Sequence, residues 1–224
     1  VANPSIEIVR GGGWTESLWR EAQPTVEEAA DYTTDGLSDL GVEYSIPKKG
    51  KIVRARQSFP NGFEGLAFDE RSFRIHTVLP VHEPWREDRL IAQWSLVAFH
   101  EAMHCIRSER GFDVNDSQVE VMANEGLAYV GEHLHHRRHF VKELPSFLKV
   151  ADLRLNPVLD VKYGHELAKG SDTIAAKKWS DEQSAHDTLR DAELYGAQRV
   201  YRQLRRGYAL NDLVQMPPEE VLGL

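Results

Sequence analysis

A single cysteine, Cys105, leaves no partner for an intramolecular disulfide, so the fold has to be held by its core, in a reducing or an oxidising compartment alike. No run comes near the ~18 consecutive apolar residues of a membrane span. The start, "VANPSIEIVRGGG", has no basic head followed by an apolar stretch. A soluble protein is expected, with the cytoplasm favoured; a first residue of Val1 points to a trimmed start and leaves secretion open through a removed signal peptide. Positive charge is also scarce. Against 35 acidic residues stand 27 Lys and Arg, and a net charge of -8 argues against nucleic acid as a partner. The short basic runs "HHRRH" and "RRG" read as solvated helix faces.

What remains is a chain of 224 residues, 41% hydrophobic and 28% charged, enough for one sizeable core. One domain over 1–224 is expected, with a mixed N-terminal lobe to about residue 110 and a mainly helical C-terminal lobe from about 111. In the first lobe, Thr25 and Glu28 have the spacing of a capping box, and Gly41 marks a stop, which predicts a helix of roughly four turns. "VEYSIPKKGKIVRARQSF" reads as two short strands around a turn at "PKKG", and Pro60, Asn61 and Gly62 place a loop between Phe59 and Gly65. "RSFRIHTV" alternates, with Phe73, Ile75, Thr77 and Leu79 on one side and Arg74 and His76 on the other. It reads as a half-buried strand, with a place at a sheet edge where an extended peptide could pair as one reading of it.

"HEPWREDRLIAQWSLVAFHEAMHCIRSERG" predicts a long helix with Pro84 in its first turn, Glu87 and Asp88 near its positive end and Gly111 as its stop. Apolar residues lie on most of its faces, so it should be buried. A second helix follows in "NDSQVEVMANEGLAYVGEHLHHRRHF", and a third in "AHDTLRDAELYGAQRVYRQLRRG". "NDLVQMPPEEVLGL" then gives a short helix, a Pro-Pro start and one more turn.

Inside the buried helix, His100 and His104 are four residues apart, about 40° round and one turn up the same face. Both imidazoles can therefore reach one metal ion. Glu101 lies about 100° from His100, off the ligand row but within reach of a water on the same ion. This is the H-E-x-x-H arrangement, in which the glutamate serves as general base. Two core histidines sharing a helix face are the plain alternative, and they would need buried hydrogen-bond partners.

A zinc hydrolase needs a third protein ligand and an open position. The elongated motif would place glycine and histidine where Arg107 and Arg110 stand, so that route fails. Glu125 in "ANEGLAYV" is the better candidate. Glu120, about 140° from it around the same helix, has capping-box spacing from Ser117 and so a role at the helix start. His133, His135, His136 and His139 point several ways and, beside Arg137 and Arg138, read as a solvated face. Cys105 reads as core. Arg107 reads as pairing with an acid near the site or as a surface salt bridge.

"HEAMHCIR" followed by "NEGLAY" resembles a gluzincin, the zinc-peptidase group with two helix histidines and a downstream glutamate, and "NEGLA" is similar to the ligand segment of the membrane-alanyl aminopeptidase family. Over roughly residues 60–224 the chain looks closest to the YjaZ-type predicted Zn-dependent proteases, which resemble it in H-E-x-x-H-x-x-R, in E-G-L-A and in the C-terminal pattern after "ELYGAQ". The resemblance implies an α+β, zincin-like fold: a small sheet and the buried motif helix in the N-terminal lobe, a helical C-terminal lobe and an active-site cleft between them. It implies Zn2+ at His100, His104 and Glu125, with Glu101 as base and a peptide or protein as substrate. Tyr195 and His186 are its candidates for the donor opposite the metal, with Tyr163 and His165 behind them. Tyr129 stands where the family often has a further acid, so support for a ligand histidine is expected from elsewhere. Two other readings accompany the peptidase: a non-catalytic zincin-fold regulator that retains its metal, and a helical protein with no metal.

Overall fold

The computed structural model describes residues 4–55, 63–77, 87–112, 117–144, 148–149, 152–168 and 183–224, the side chains of 63–64, 165–166, 168 and 183–189 excepted. The chain is α+β, with a small mixed sheet of four strands and a mostly helical remainder. Strand β1 (Ile6–Arg10), helix α1 (Glu16–Asp39) and strand β2 (Lys48–Arg54) form a parallel crossover unit. Strands β3 (Phe63–Ala67) and β4 (Ser72–Thr77) complete the sheet in the order β1-β2-β4-β3, with β4 parallel to β2 and β3 antiparallel to β4. Ile6, Ile8, Ile52, Phe73 and Ile75 fill the covered face, while Glu7, Lys49 and Lys51 point to solvent.

Several local signals resolve differently from expectation. Helix α1 starts not at Thr25 but at Thr15, whose side chain accepts from the Leu18 amide. Pro24 lies inside the helix, and the buried stripe Ala22, Val26, Ala29, Ala30 and Leu37 runs past it. Burial of those side chains outweighs the ~3 kcal/mol that an interior proline removes. The expected stop holds, with Gly41 at φ +69°. "PKKG" makes no turn. Lys48, Lys49 and Gly50 open β2, and Gly50 passes so closely over Phe73 that an added Cβ would sit 2.5 Å from the ring. Strand β3 begins at Phe63, inside the stretch expected to be loop, and it takes the sheet edge, so β4 is interior.

Helix α2 (Glu87–Glu109) carries the motif and packs against α1, β3, β4 and α3 (Gln118–His139). Its faces are buried nearly all round, as expected, by Leu90, Trp94, Phe99, Met103 and Ile106 among others. Helix α3 is capped by Ser117, which accepts from the Glu120 amide, and it packs on α2, on α5 (Gln183–Arg205) and on the last short helix. Gly131 lets α2 and α3 close up over Phe99, 2.8 Å from where a Cβ would stand. Gly126 serves a different neighbour: it abuts Gly196 of α5, where an added Cβ would sit 2.5 Å from the nearest backbone atom. Helix α4 (Pro157–Ala168) lies on α5, and α6 (Leu210–Gln215) and α7 (Pro218–Leu222) close the chain against α3. Among the described residues no helix is long and apolar enough to cross a membrane.

The histidines of the second half of α3 are not a solvated face. His133, His135 and His136 are buried, because α3 is flanked by helices on most sides. His135 stacks on Phe99 at 4.8 Å and shares a hydrogen bond of 2.9 Å with the Ser95 hydroxyl. Burial, reinforced by His139 and His136, pushes its pKa down to about 3. The unfolded chain binds this proton near pH 6.5 and the folded one does not, so stability is full above pH 6.5 and falls as pH drops toward 3. The expected slope is up to about 1.4 kcal/mol per pH unit. Urea unfolding between pH 8 and 5, parent beside His135→Gln, checks it; identical pH slopes would contradict it.

Candidate metal centre

His100 and His104 leave α2 on the side that faces α3, and Glu125 meets them from the second turn of that helix. The Nε2 atoms of the two imidazoles lie 3.4 Å and 3.5 Å from one oxygen of Glu125, and the rings stand edge to face at 4.9 Å. One ligand atom from each residue lies within 4.8 Å of the others, and among the described residues no other group of three such side chains converges in this way.

The hydrogen bonding fits a cation. His100 Nδ1 lies 3.0 Å from Glu132 Oε2 and donates to it, so Nε2 is the nitrogen that faces Glu125. A lone pair facing a carboxylate oxygen is repulsive unless a positive charge lies between them. Burial opposes charge on His100, yet Glu125 and then Glu132 outweigh it and lift its pKa well above the ordinary histidine value. The surroundings thus favour positive charge at that nitrogen, carried by a proton or by a metal ion. His104 Nδ1 is buried with no partner among the described residues. Two imidazole nitrogens and a carboxylate suit a borderline-soft divalent ion.

Glu101 lies on the sheet side of α2, buried against β3. Gly65 makes room for it, since a Cβ at that position would overlap the Glu101 carboxyl. Burial raises its pKa, His100 and His104 oppose the rise, and Glu125 and Glu132 add to it.

Glu132 escaped the sequence reading. It lies seven residues after Glu125, two turns along the same face of α3, and that spacing was the available signal. It supplies the histidine support that Tyr129 does not. Tyr129 instead packs edge-on against His100 at 4.8 Å and donates to Glu193 of α5 at 3.2 Å. Replacement of Glu132 by Ala is expected to weaken metal affinity by ~10 to 100-fold while the fold persists. Competition with a chromophoric chelator measures it, and an unchanged affinity would remove Glu132 from the site.

Tyr195 is buried, packs on Tyr163 at 5.6 Å and donates its hydroxyl to Asp160 at 2.9 Å. Burial and that bond push its pKa up to about 12. The side chains of His186 and His165 lie outside the described residues. Glu120 stays at the helix start, within reach of the Ser117 hydroxyl. Cys105 is core, its thiol raised to about 12 by burial. Arg107 is no surface pair: it is wholly buried, with its Nε on Asn124, and Glu120 is the acid that acts on its charge.

No family model, curated protein or solved structure matches the chain.

Proposed function

We propose that the protein is a zinc-dependent peptidase of gluzincin type with a zincin-like fold. The convergence of His100, His104 and Glu125 beside a buried Glu101 carries this reading. His100, His104 and Glu125 would hold a zinc ion, which would supply Lewis-acid polarisation of a scissile carbonyl and an acidified water. Glu101, buried beside the pair of histidines, would take a proton from the attacking water and pass it to the leaving amine. Glu132 holds the His100 ring by its Nδ1 and keeps Nε2 free for the metal. The edge of the sheet supports a peptide as the substrate. Among the described residues β3 has one unpaired side, and an extended peptide added there would run beside the Glu101 carboxyl that Gly65 admits.

One observation favours the second reading, a metal-bearing regulator without turnover. The hydroxyl of Tyr195, the leading candidate for the donor opposite the metal, is engaged by Asp160. A peptide-library digest separates the two. The peptidase reading expects cleavage that a chelator abolishes and added zinc restores; chelator-resistant cleavage, or none by a zinc-loaded protein, would contradict it.

A further inference from the structure

Arg107 follows His104 by one turn of α2, and its side chain is completely buried. Its Nε donates to Asn124 Oδ1 at 2.7 Å, and its Nη1 donates to the carbonyls of Val214 at 2.8 Å and Met216 at 2.7 Å. The guanidinium lies over the Phe112 ring, 3.9 Å from its centre. One cation therefore grips the two ligand-bearing helices and the end of α6 together, and the residue it grips on α3 is the immediate neighbour of Glu125.

Burying a guanidinium has a desolvation cost of several kcal/mol, and an apolar side chain would fill the same space more cheaply. What an apolar side chain lacks is direction. The contact of Gly126 with Gly196 sets how closely α3 approaches α5, but sliding backbone contacts do not fix the rotation of a helix about its axis. A rotation of about 20° carries a side-chain tip roughly 5 Å from the axis by about 2 Å. Ligand distances tolerate only about 0.2 Å. A directional bond to Asn124 adds a constraint on that rotation to the side-chain packing of α3.

We infer that Arg107 is a positioning residue: by holding Asn124 it fixes the rotation of α3 that brings Glu125 onto the two imidazoles, and through Val214 and Met216 it ties this alignment to the C-terminal turn. The inference rests on the metal reading of the site. It gives a physical role to the arginine of the H-E-x-x-H-x-x-R segment, which takes no part in the proposed chemistry.

The test measures zinc affinity of the full chain by chelator competition, on the folded fraction, for the parent, Asn124→Ala, Asn124→Asp and Ile52→Val. Asn124→Ala is expected to weaken zinc about tenfold, the low end for residues that orient ligands. Asn124→Asp keeps an acceptor for Nε and should bind at least as tightly as the parent. Ile52→Val, a core change in the sheet, should lower stability and leave affinity alone. Parent-like affinity in Asn124→Ala, or an equal loss in Ile52→Val, overturns the inference while the metal site stands. A parent that binds no zinc overturns the metal reading and the inference with it. Should Asn124→Ala fail to fold, Arg107→Lys decides: its single ammonium keeps the charge without the two-sided grip, so about tenfold weaker zinc supports the inference and unchanged zinc overturns it.

Discussion

Glu101→Gln is expected to lower kcat/KM for a cleaved peptide by about 10² to 10⁴-fold while the protein keeps its zinc. The amide fills the same space beside Gly65, so neither the fold nor the His100, His104 and Glu125 group is disturbed. It cannot take a proton from water, and that is the only function removed. Loss in kcat with KM little changed would mark a group acting in the transition state. Unchanged turnover would assign the base elsewhere, and loss of zinc would make Glu101 a ligand.

The largest stability effect is expected far from the metal. Lys48 opens β2 with a side chain closed to solvent, and its ammonium meets Glu109, the last residue of α2, at 2.5 Å and the Glu70 carbonyl at 2.7 Å. The Glu109 carboxylate also accepts from the Ser45 amide and hydroxyl. Burial raises its pKa, but the Lys48 and Ser45 bonds outweigh it and bring it down to about 2. Glu109→Gln leaves a buried ammonium uncompensated, and about 3 to 5 kcal/mol of stability should be lost. The pair Lys48→Met with Glu109→Leu removes both charges and should recover most of it. Urea unfolding reads both; a loss under about 1 kcal/mol in Glu109→Gln would place the pair with weak surface bridges.

The parts of the structure legible in the sequence are those encoded by neighbours along the chain. The buried α2 follows from its apolar faces, and the stops at Gly41, Gly111 and Gly207 all take positive φ. The Ser117 cap and the Pro-Pro start of α7 are likewise local. So is the pairing of His100 with His104, and the gap to Glu125 is short enough for one helical return.

The rest depends on partners distant in sequence. Thr25 and Glu28 imitate a helix start, but Thr15 caps α1 because its apolar stripe continues upstream of Pro24. Gly50 imitates a turn and instead lies across Phe73 from β4. The α3 histidines look solvated beside Arg137 and Arg138 because the helices that cover them do not show in a local window. The setting of Arg107, read locally as a pair with an acid near the site or as a surface bridge, is hidden for the same reason: its acceptors at Asn124, Val214 and Met216 come from two other elements.

The central claim is that His100, His104 and Glu125 hold one zinc ion. Metal content by mass spectrometry, on untagged protein beside His104→Ala, tests it most directly. The account predicts about one zinc per chain in the parent, removed by the substitution in a protein that still folds. A parent that takes up no zinc even when it is resupplied would contradict the account and make the two histidines and Glu125 a polar contact between α2 and α3.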